Sequence, residues 1–173
     1  ETKLFGDVMM ELLPLTHPML KVPPTEFSRW DEAEQIGEDI FKRQLALGGV
    51  GLSANQVGLN YRIMTMGAKG KKWIMYNPEL VGHSEEQIKM EEGCLSAPGI
   101  MLKVWRPEKC TISYQNADQE IVMEEFDGLW ARVALHEYDH MLGQNFLMRV
   151  SKLQLDRAIK KVKKQNKKIA RHK

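Results

Sequence analysis

The sequence has little cysteine and no long apolar run. With only two cysteines, Cys94 and Cys110, in 173 residues, a fold that depends on disulfides is excluded and a reducing compartment such as the cytoplasm is favoured. No apolar run approaches the ~20 residues that span a membrane, and no secretory signal is visible, so we expect no membrane association. Since the chain begins at Glu1 rather than methionine, an organellar matrix or stroma stays open if a leader was removed, and the host cytoplasm if the source is viral.

Repeats and low-complexity tracts are also absent, apart from a basic C-terminal end. The length predicts one domain with a substantial core, and 43% hydrophobic and 28% charged residues are typical of a globular chain. Residues 151–173 carry ten Lys and Arg against one acid, whereas the first 150 residues carry fifteen against twenty-two acids. We therefore predict an acidic body over residues 1–150 and a basic C-terminal helix over 151–173.

The order of predicted elements indicates an α+β fold, because a helix is followed by strands and then by further helices. The predicted elements are a helix over 28–49 with Ser28 as its N-cap, strands at 62–66 and 72–77, a loop or short strand at 91–99, a hairpin around 116–118, a helix over 127–142 with Asp127 as its N-cap, and a last helix from near Ser151.

The segment ALHEYDHMLGQNF, residues 134–146, contains the pattern His-Glu-x-x-His. His136 and His140 share one face of a helix and can bind one metal ion, with Glu137 placed as a general base. Catalytic sites usually take three protein ligands, but position 146, where one protease pattern has histidine, is Phe146, and no glutamate follows His140. Unless the motif is accidental, the third ligand comes from upstream. The candidates are Cys94, Cys110, His17 and His83.

Cys94 is distinguished from the other candidates by its neighbours, Glu-Gly-Cys-Leu-Ser. A thiolate binds zinc and iron(II) well, and a glycine before it lets the backbone pass close to a metal. The alternative role for Cys94 is that of a small buried apolar residue.

Three separated motifs give the chain a resemblance to the peptide deformylase family. The family patterns G-x-G-L-A-A-x-Q, E-G-C-L-S and Q-H-E-x-D-H stand here in order at 49–56, 92–96 and 135–140, and the resemblance covers about residues 12–150. Two positions depart from the patterns. Ser53 replaces the first alanine of the first motif, and Leu135 replaces the glutamine of the third, which alters a hydrogen bond near the site but removes no ligand.

The resemblance implies the fold, the metal and the reaction. Antiparallel sheets would pack around a central helix that carries His-Glu-x-x-His, in a deformylase-like catalytic domain of residues 1–150. Cys94, His136 and His140 would bind one divalent metal ion, iron(II) with zinc, nickel or cobalt as substitutes. The implied reaction is co-translational removal of the N-formyl group from the formyl-methionine of nascent polypeptides.

The same resemblance assigns roles to further residues. Glu137 would move the proton of a metal-activated water, while the Gln56 amide and the Leu95 N–H would stabilise charge on the formyl oxygen. Gly51 would let the substrate lie alongside as an added strand, and Glu92 would position other groups rather than bind the metal. The implied substrate-binding set is Val50, Gly51, Met90, Glu92, Gly93, Leu129 and Val133.

The residues leave two other functions open, and the resemblance and the basic tail imply two partners. A metalloprotease would use the same His-Glu-x-x-His helix, and a structural zinc site would join Cys94, Cys110, His136 and His140 in a closed tetrahedron. For a deformylase, the substrates are N-formylmethionyl peptides, and the basic tail predicts attraction to the phosphates of ribosomal RNA. We expect a monomer.

Overall fold

The chain forms an α+β fold, in which antiparallel sheets surround a central helix. The structure, a computed structural model, describes residues 3–4 and 8–172. The elements are β1 (Lys3–Leu4), β2 (Val8–Met9), α1 (Ala33–Ala46), β3 (Gly51–Ser53), β4 (Ile63–Ala68), β5 (Lys71–His83), β6 (Gln87–Cys94), β7 (Ala97–Pro107), β8 (Lys109–Gln115), β9 (Ile121–Asp127), α2 (Gly128–Met141) and α3 (Lys152–Arg171). Short 3-10 turns occupy Pro18–Lys21, Trp30–Glu32, Ala54–Val57 and Phe146–Arg149.

The strands divide into one large and two small antiparallel sheets. The five-stranded sheet has the order β3-β4-β5-β8-β9, while β6 pairs with β7 and β1 with β2. The predicted hairpin around residues 116–118 is confirmed by β8 and β9, which pair from Lys109 opposite Asp127 to Gln115 opposite Ile121. The predicted fold class is therefore confirmed.

Helix α2 is the centre of the molecule. Every residue from Ala131 to Met141 is buried, as expected for a helix with sheets on more than one side. Asp127 holds the predicted N-cap position, although its side chain makes no capping hydrogen bond. Gly143 follows the helix with φ of +70°, and a side chain there would lie 2.8 Å from the Val22 backbone. The glycine is therefore required both by its conformation and by the close approach of the chain.

Helix α1 begins later than predicted, and Ser28 is not its N-cap. The N-cap residue is Glu32, which is also the last residue of the 3-10 turn Trp30–Glu32. The preceding segment is held by long-range contacts instead. Phe27 stacks edge-on against Trp30 and Tyr61, and its N–H donates to Asn77 Oδ1 at 2.8 Å. These tertiary contacts override the local helix signal of residues 28–32.

The β6–β7 hairpin is much longer than the loop or short strand predicted at 91–99. Its register runs from Gln87 opposite Pro107 to Cys94 opposite Ala97. The buried face of the hairpin includes Glu92 and Arg106, so the apolar alternation that marks a half-buried strand is broken by charges. The two charges compensate each other, which a pattern of apolar residues cannot indicate.

Helix α3 confirms the predicted C-terminal helix near Ser151, whose hydroxyl accepts a hydrogen bond from the Gln154 N–H. Leu155 and Ala158 pack against the cluster that contains Cys94, and Gln154 Nε2 donates to the Lys103 carbonyl at 2.9 Å. The first half of the helix is thus attached to β7. The division of the chain at residue 150 stays a prediction. In the described part of the chain no helix combines the length and apolarity needed to cross a membrane.

Candidate metal centre and active-site cleft

Three side chains that can bind a metal meet at one point. Cys94 ends strand β6, while His136 and His140 lie one turn apart on the same face of α2. One donor atom from each of the three lies within 4.8 Å of the other two, and Cys94 Sγ is 3.8 Å from His140 Nε2. All three residues are buried. The three ligands expected from the sequence are therefore brought together.

The chemistry of these donors fits a divalent metal ion. Burial, with the nearby His136 as a lesser cause, lowers the pKa of His140 to about 3, so its ring is neutral, the form that ligates metals. Although burial opposes it, hydrogen bonding to Cys94 and Glu92 raises the pKa of His136 to about 10. The surroundings of His136 therefore favour a positive charge. One thiolate with two imidazoles suits zinc or iron(II).

Glu92 orients the first histidine. His136 Nδ1 lies 2.8 Å from Glu92 Oε1, and because a carboxylate accepts, the ring donates through Nδ1 and leaves Nε2 for the metal. Arg106 Nε and Nη2 donate to the same carboxylate at 2.6 and 2.9 Å. Burial alone would raise the pKa of Glu92, but the hydrogen bonds from His136 and Arg106 hold it far below its usual value. Glu92 is therefore an anion that keeps a proton on Nδ1 of His136, so that Nε2 is the nitrogen whose proton a metal ion would replace.

Glu137 lies beside the three donors and has room because residue 51 is glycine. Glu137 Oε1 is 4.0 Å from His136 Nε2, and Oε2 is buried with no hydrogen-bond partner among the described residues. A Cβ on Gly51 would lie 2.9 Å from Glu137 Cγ and Oε1 and from Val133 Cγ1. Burial raises the pKa of Glu137 to about 7. The carboxylate is therefore suited to exchanging a proton near neutral pH.

The Gln56 amide is held in one orientation. Its Oε1 accepts from the Ser53 N–H and from Ser53 Oγ, both at 3.0 Å. This directs Nε2 toward Ser96 Oγ at 3.0 Å and Cys94 Sγ at 3.5 Å. Ser53, which stands where the family motif has alanine, thus adds a hydroxyl that helps to fix Gln56 with its donor side facing Cys94.

These groups form one end of a cleft with a volume of about 450 Å³, within the range of small-ligand sites. Gln56, Leu95 and Glu137 line it. Six of the seven residues predicted to bind substrate also line it, namely Val50, Gly51, Glu92, Gly93, Leu129 and Val133.

Met90 is the predicted substrate-binding residue that does not line this cleft. It pairs with Val104 across the hairpin, and the carbonyl of Val104 is bonded by Arg132, which itself lines the cleft. Sequence reasoning did not identify Arg132, nor the buried ion pair of Arg106 and Asp139. The available signal was an arginine within the apolar stripe of α2, between Leu129 and Val133.

The fold and the site together define a metal-dependent hydrolase, since a proton acceptor and three metal donors meet at a cleft. The sequence profile of the family described as Polypeptide deformylase matches residues 9–156. A peptide deformylase of Caulobacter vibrioides is 39% identical, covering 78% of this chain and 80% of the relative. Another, of Erythrobacter litoralis, is 34% identical, covering 89% of this chain and 95% of the relative. The chain belongs to the peptide deformylase family.

Solved structures agree with the sequence comparisons. The peptide deformylase of Synechococcus elongatus in complex with actinonin has a TM-score of 0.83 and 31% identity, covering 93% of this chain and 90% of that one. That of Thermotoga maritima has a TM-score of 0.79 and 31% identity, covering 83% and 98%. The chain is therefore a metal-dependent hydrolase that removes the N-formyl group from nascent polypeptides. This function is supported over the metalloprotease and structural-zinc alternatives.

The second cysteine does not join the metal donors. Cys110 is 1% exposed in the cluster between α2 and the large sheet, where its Sγ lies 4.0 Å from the Ala131 carbonyl. Burial raises its pKa to about 12. Cys110 is therefore a neutral, apolar-like core residue, and the described cluster of donors lacks the fourth ligand of a closed zinc site.

Proposed function

We propose that Cys94, His136 and His140 hold the catalytic metal ion and that Glu137 is the proton-transfer group of the deformylation reaction. The observation that carries the proposal is the convergence of the three donors beside a buried carboxylate whose Oε2 has no partner among the described residues. When bound, the metal supplies Lewis acidity, which lowers the pKa of water and polarises a carbonyl. Iron(II) is the proposed native metal, with zinc, nickel or cobalt as substitutes.

The protein side chains would do the remaining work. Glu137 accepts a proton from the attacking water and delivers one to the leaving amine as the C–N bond of the formamide breaks. This yields formate and a free N-terminus. General acid–base catalysis of this kind contributes typically about 10²–10⁴-fold to the rate.

Gln56 and Leu95 would stabilise the charge that develops on the formyl oxygen. Gln56 Nε2 has two hydrogens, of which one donates to Ser96 Oγ at 3.0 Å and the other points toward Cys94 Sγ at 3.5 Å, and sulfur is the weaker acceptor. The hydrogen that points toward the sulfur is therefore the one available to the substrate oxygen. With the Leu95 N–H as a second donor, each would contribute about 3 kcal/mol at the transition state.

The walls of the cleft would hold the methionine side chain and the peptide that follows it. Val133 is buried, whereas Val50 and Leu129 are exposed, so the wall becomes more open away from the metal donors. The absence of a side chain at Gly51 gives peptide backbone a close approach to this wall. These contacts are proposed to select N-formylmethionyl peptides.

We further propose that α3 directs the enzyme to ribosomes, in the compartment where formylated chains are made. All seven lysines of α3 are exposed, and six of them follow Ile159, namely Lys160, Lys161, Lys163, Lys164, Lys167 and Lys168. Leu155 and Ala158 attach the helix to the body. Removing residues 160–173 should leave turnover of a short formyl peptide by the monomer within a few-fold. It should weaken co-sedimentation with ribosomes at low salt, because the phosphate contacts are lost. Undiminished co-sedimentation would refute the role of the helix.

One experiment tests the enzymatic proposal. The protein is purified without oxygen, its metal content is measured, and formate release is followed with a short formyl-Met peptide. The matched acetyl-Met peptide is one control. A peptide without a formyl group, whose internal bonds a protease would cleave, is the other. Formate release that depends on the metal, without cleavage of either control, is the expected result. No formate release with any divalent metal would refute the proposal, and cleavage inside a peptide would favour a metalloprotease.

A further inference from the structure

Arg132 is a buried cation that is neither one of the three metal donors nor the proposed proton-transfer group. It lies one turn before His136 on α2 and is 4% exposed. Its guanidinium makes three hydrogen bonds, all to the β6–β7 hairpin. Nη1 donates to Glu92 Oε2 and to the Val104 carbonyl, both at 2.7 Å, and Nη2 donates to the Ile88 carbonyl at 2.6 Å.

The position of these bonds matters because the three metal donors come from two separate elements. Cys94 belongs to β6, whereas His136 and His140 belong to α2. The separation between sulfur and imidazoles therefore depends on how β6 and α2 are held together. Arg132 bonds the helix to Ile88 and Glu92, residues six and two positions before the cysteine on the same strand.

The Glu92 carboxylate is bound by side chains of both β7 and α2. Arg106 of β7 binds its carboxylate with two nitrogens, and Arg132 and His136 of α2 bind one oxygen each. Because Arg132 and His136 are four residues apart, they lie on the same face of the helix and hold the carboxylate between them. The bond from Arg132 thus opposes any rotation of Glu92 away from the His136 ring.

We propose that Arg132 is a positioning residue that sets the affinity of the metal site by fixing strand β6, and with it Cys94 and Glu92, against helix α2. This inference rests on the proposed ligand set. Groups that orient metal ligands from outside the coordination sphere typically change metal affinity by about 10–100-fold when they are removed. Arg132 acts on all three ligands, on the cysteine through the strand and on the histidines through Glu92 and the helix.

The test compares Arg132→Met with a matched arginine variant, Arg62→Met. Arg62 also bonds α2 to a neighbouring strand, through the Met141 and Pro78 carbonyls, but it does not touch Glu92. Zinc affinity is measured by competition with a coloured chelator, and the absorption spectrum of the cobalt(II) form is recorded at saturation. We expect Arg132→Met to weaken zinc binding about 10–100-fold and to change the cobalt spectrum, and Arg62→Met to leave both unchanged.

Arg132→Lys makes the result decisive if the methionine variant does not fold. A lysine keeps the charge but cannot hold the carboxylate and both carbonyls in the planar arrangement of a guanidinium, so we expect an intermediate loss of affinity. Zinc affinity equal to wild type in the folded variants, or an equal loss in Arg62→Met, would overturn the inference. Cys94→Ser is measured in parallel. If that variant binds zinc as wild type does, the proposed ligand set fails rather than the role of Arg132.

Discussion

Replacing Glu137 by glutamine separates proton transfer from metal binding. The side chain keeps its shape but loses its ability to accept a proton. Glu137 is not among the metal donors, so the variant should bind a stoichiometric amount of metal. Since the same carboxylate is proposed to serve as base and then as acid, kcat should fall by about 10²–10⁴-fold, which corresponds to about 2.7–5.4 kcal/mol of the barrier.

The fold should tolerate this change. Oε2 of Glu137 has no hydrogen-bond partner among the described residues, so the substitution breaks no bond at this atom. We expect the free energy of unfolding to change by no more than ~1 kcal/mol, which shifts the melting temperature of a chain of this size by about 2–4 °C. A loss of activity with an intact fold and full metal content is therefore the expected combination.

The assay measures formate release per bound metal. Metal content is determined on the same sample, and Glu125→Gln, an exposed carboxylate on β9, is the matched control that should retain wild-type kcat. A value of kcat for Glu137→Gln within tenfold of wild type at full metal content would refute the assignment. Loss of the metal would instead show that the ligand set is wrong.

Three further substitutions test other parts of the site. Cys94→Ser should abolish metal binding or change metal preference, measured by elemental analysis, since the thiolate is the softest donor; unchanged content and rate would exclude Cys94 as a ligand. Cys110→Ser should retain the bound metal and formate release, because its sulfur lies in the core and not among the metal donors. Loss of metal in this variant would support the structural zinc site instead. Gly51→Ala should lower kcat at least ~10-fold with metal retained, because its Cβ would displace Glu137; unchanged kinetics would show that Glu137 moves without cost.

The parts of the site that were predictable from the sequence are those with fixed local spacing. His136, Glu137 and His140 are placed by one helix, and the helix is marked by its apolar periodicity and by Gly143 at its end. The third donor was different, since nothing in the spacing of Cys94 relative to α2 distinguishes it from Cys110. The neighbours of Cys94 favoured it over Cys110, but only the resemblance assigned it as the third donor. The structure supplies a physical reason, because β6 ends beside α2 whereas Cys110 is buried under Ala131.

The parts that were missed are buried charges. Arg132, Arg106 and Asp139 are each less than 5% exposed, yet a sequence pattern assigns arginine and aspartate to the surface. Arg106 Nη1 lies 3.1 Å from Asp139 Oδ2, and Arg149 binds the same carboxylate. Each charge is compensated by one that is distant in sequence. The sequence of one chain, read alone, offers no signal for such pairs. The same buried charges interrupt the apolar alternation of β6 and β7, so the length of these strands was not predicted.

The two departures from the family motifs have opposite physical consequences. Leu135 stands where the motif has glutamine, and it is buried in the apolar cluster between α2 and the large sheet. An aliphatic side chain in that cluster leaves no polar group to satisfy. Ser53 stands where the motif has alanine, and its hydroxyl bonds Gln56 Oε1 at 3.0 Å. Two hydrogen bonds from Ser53 fix the orientation of the buried Gln56 amide before substrate binds. The Gln56 side chain therefore loses less conformational entropy on reaching the transition state. The serine therefore adds a polar contact to Gln56, the residue proposed to stabilise the formyl oxygen, while the leucine adds an apolar side chain to the core.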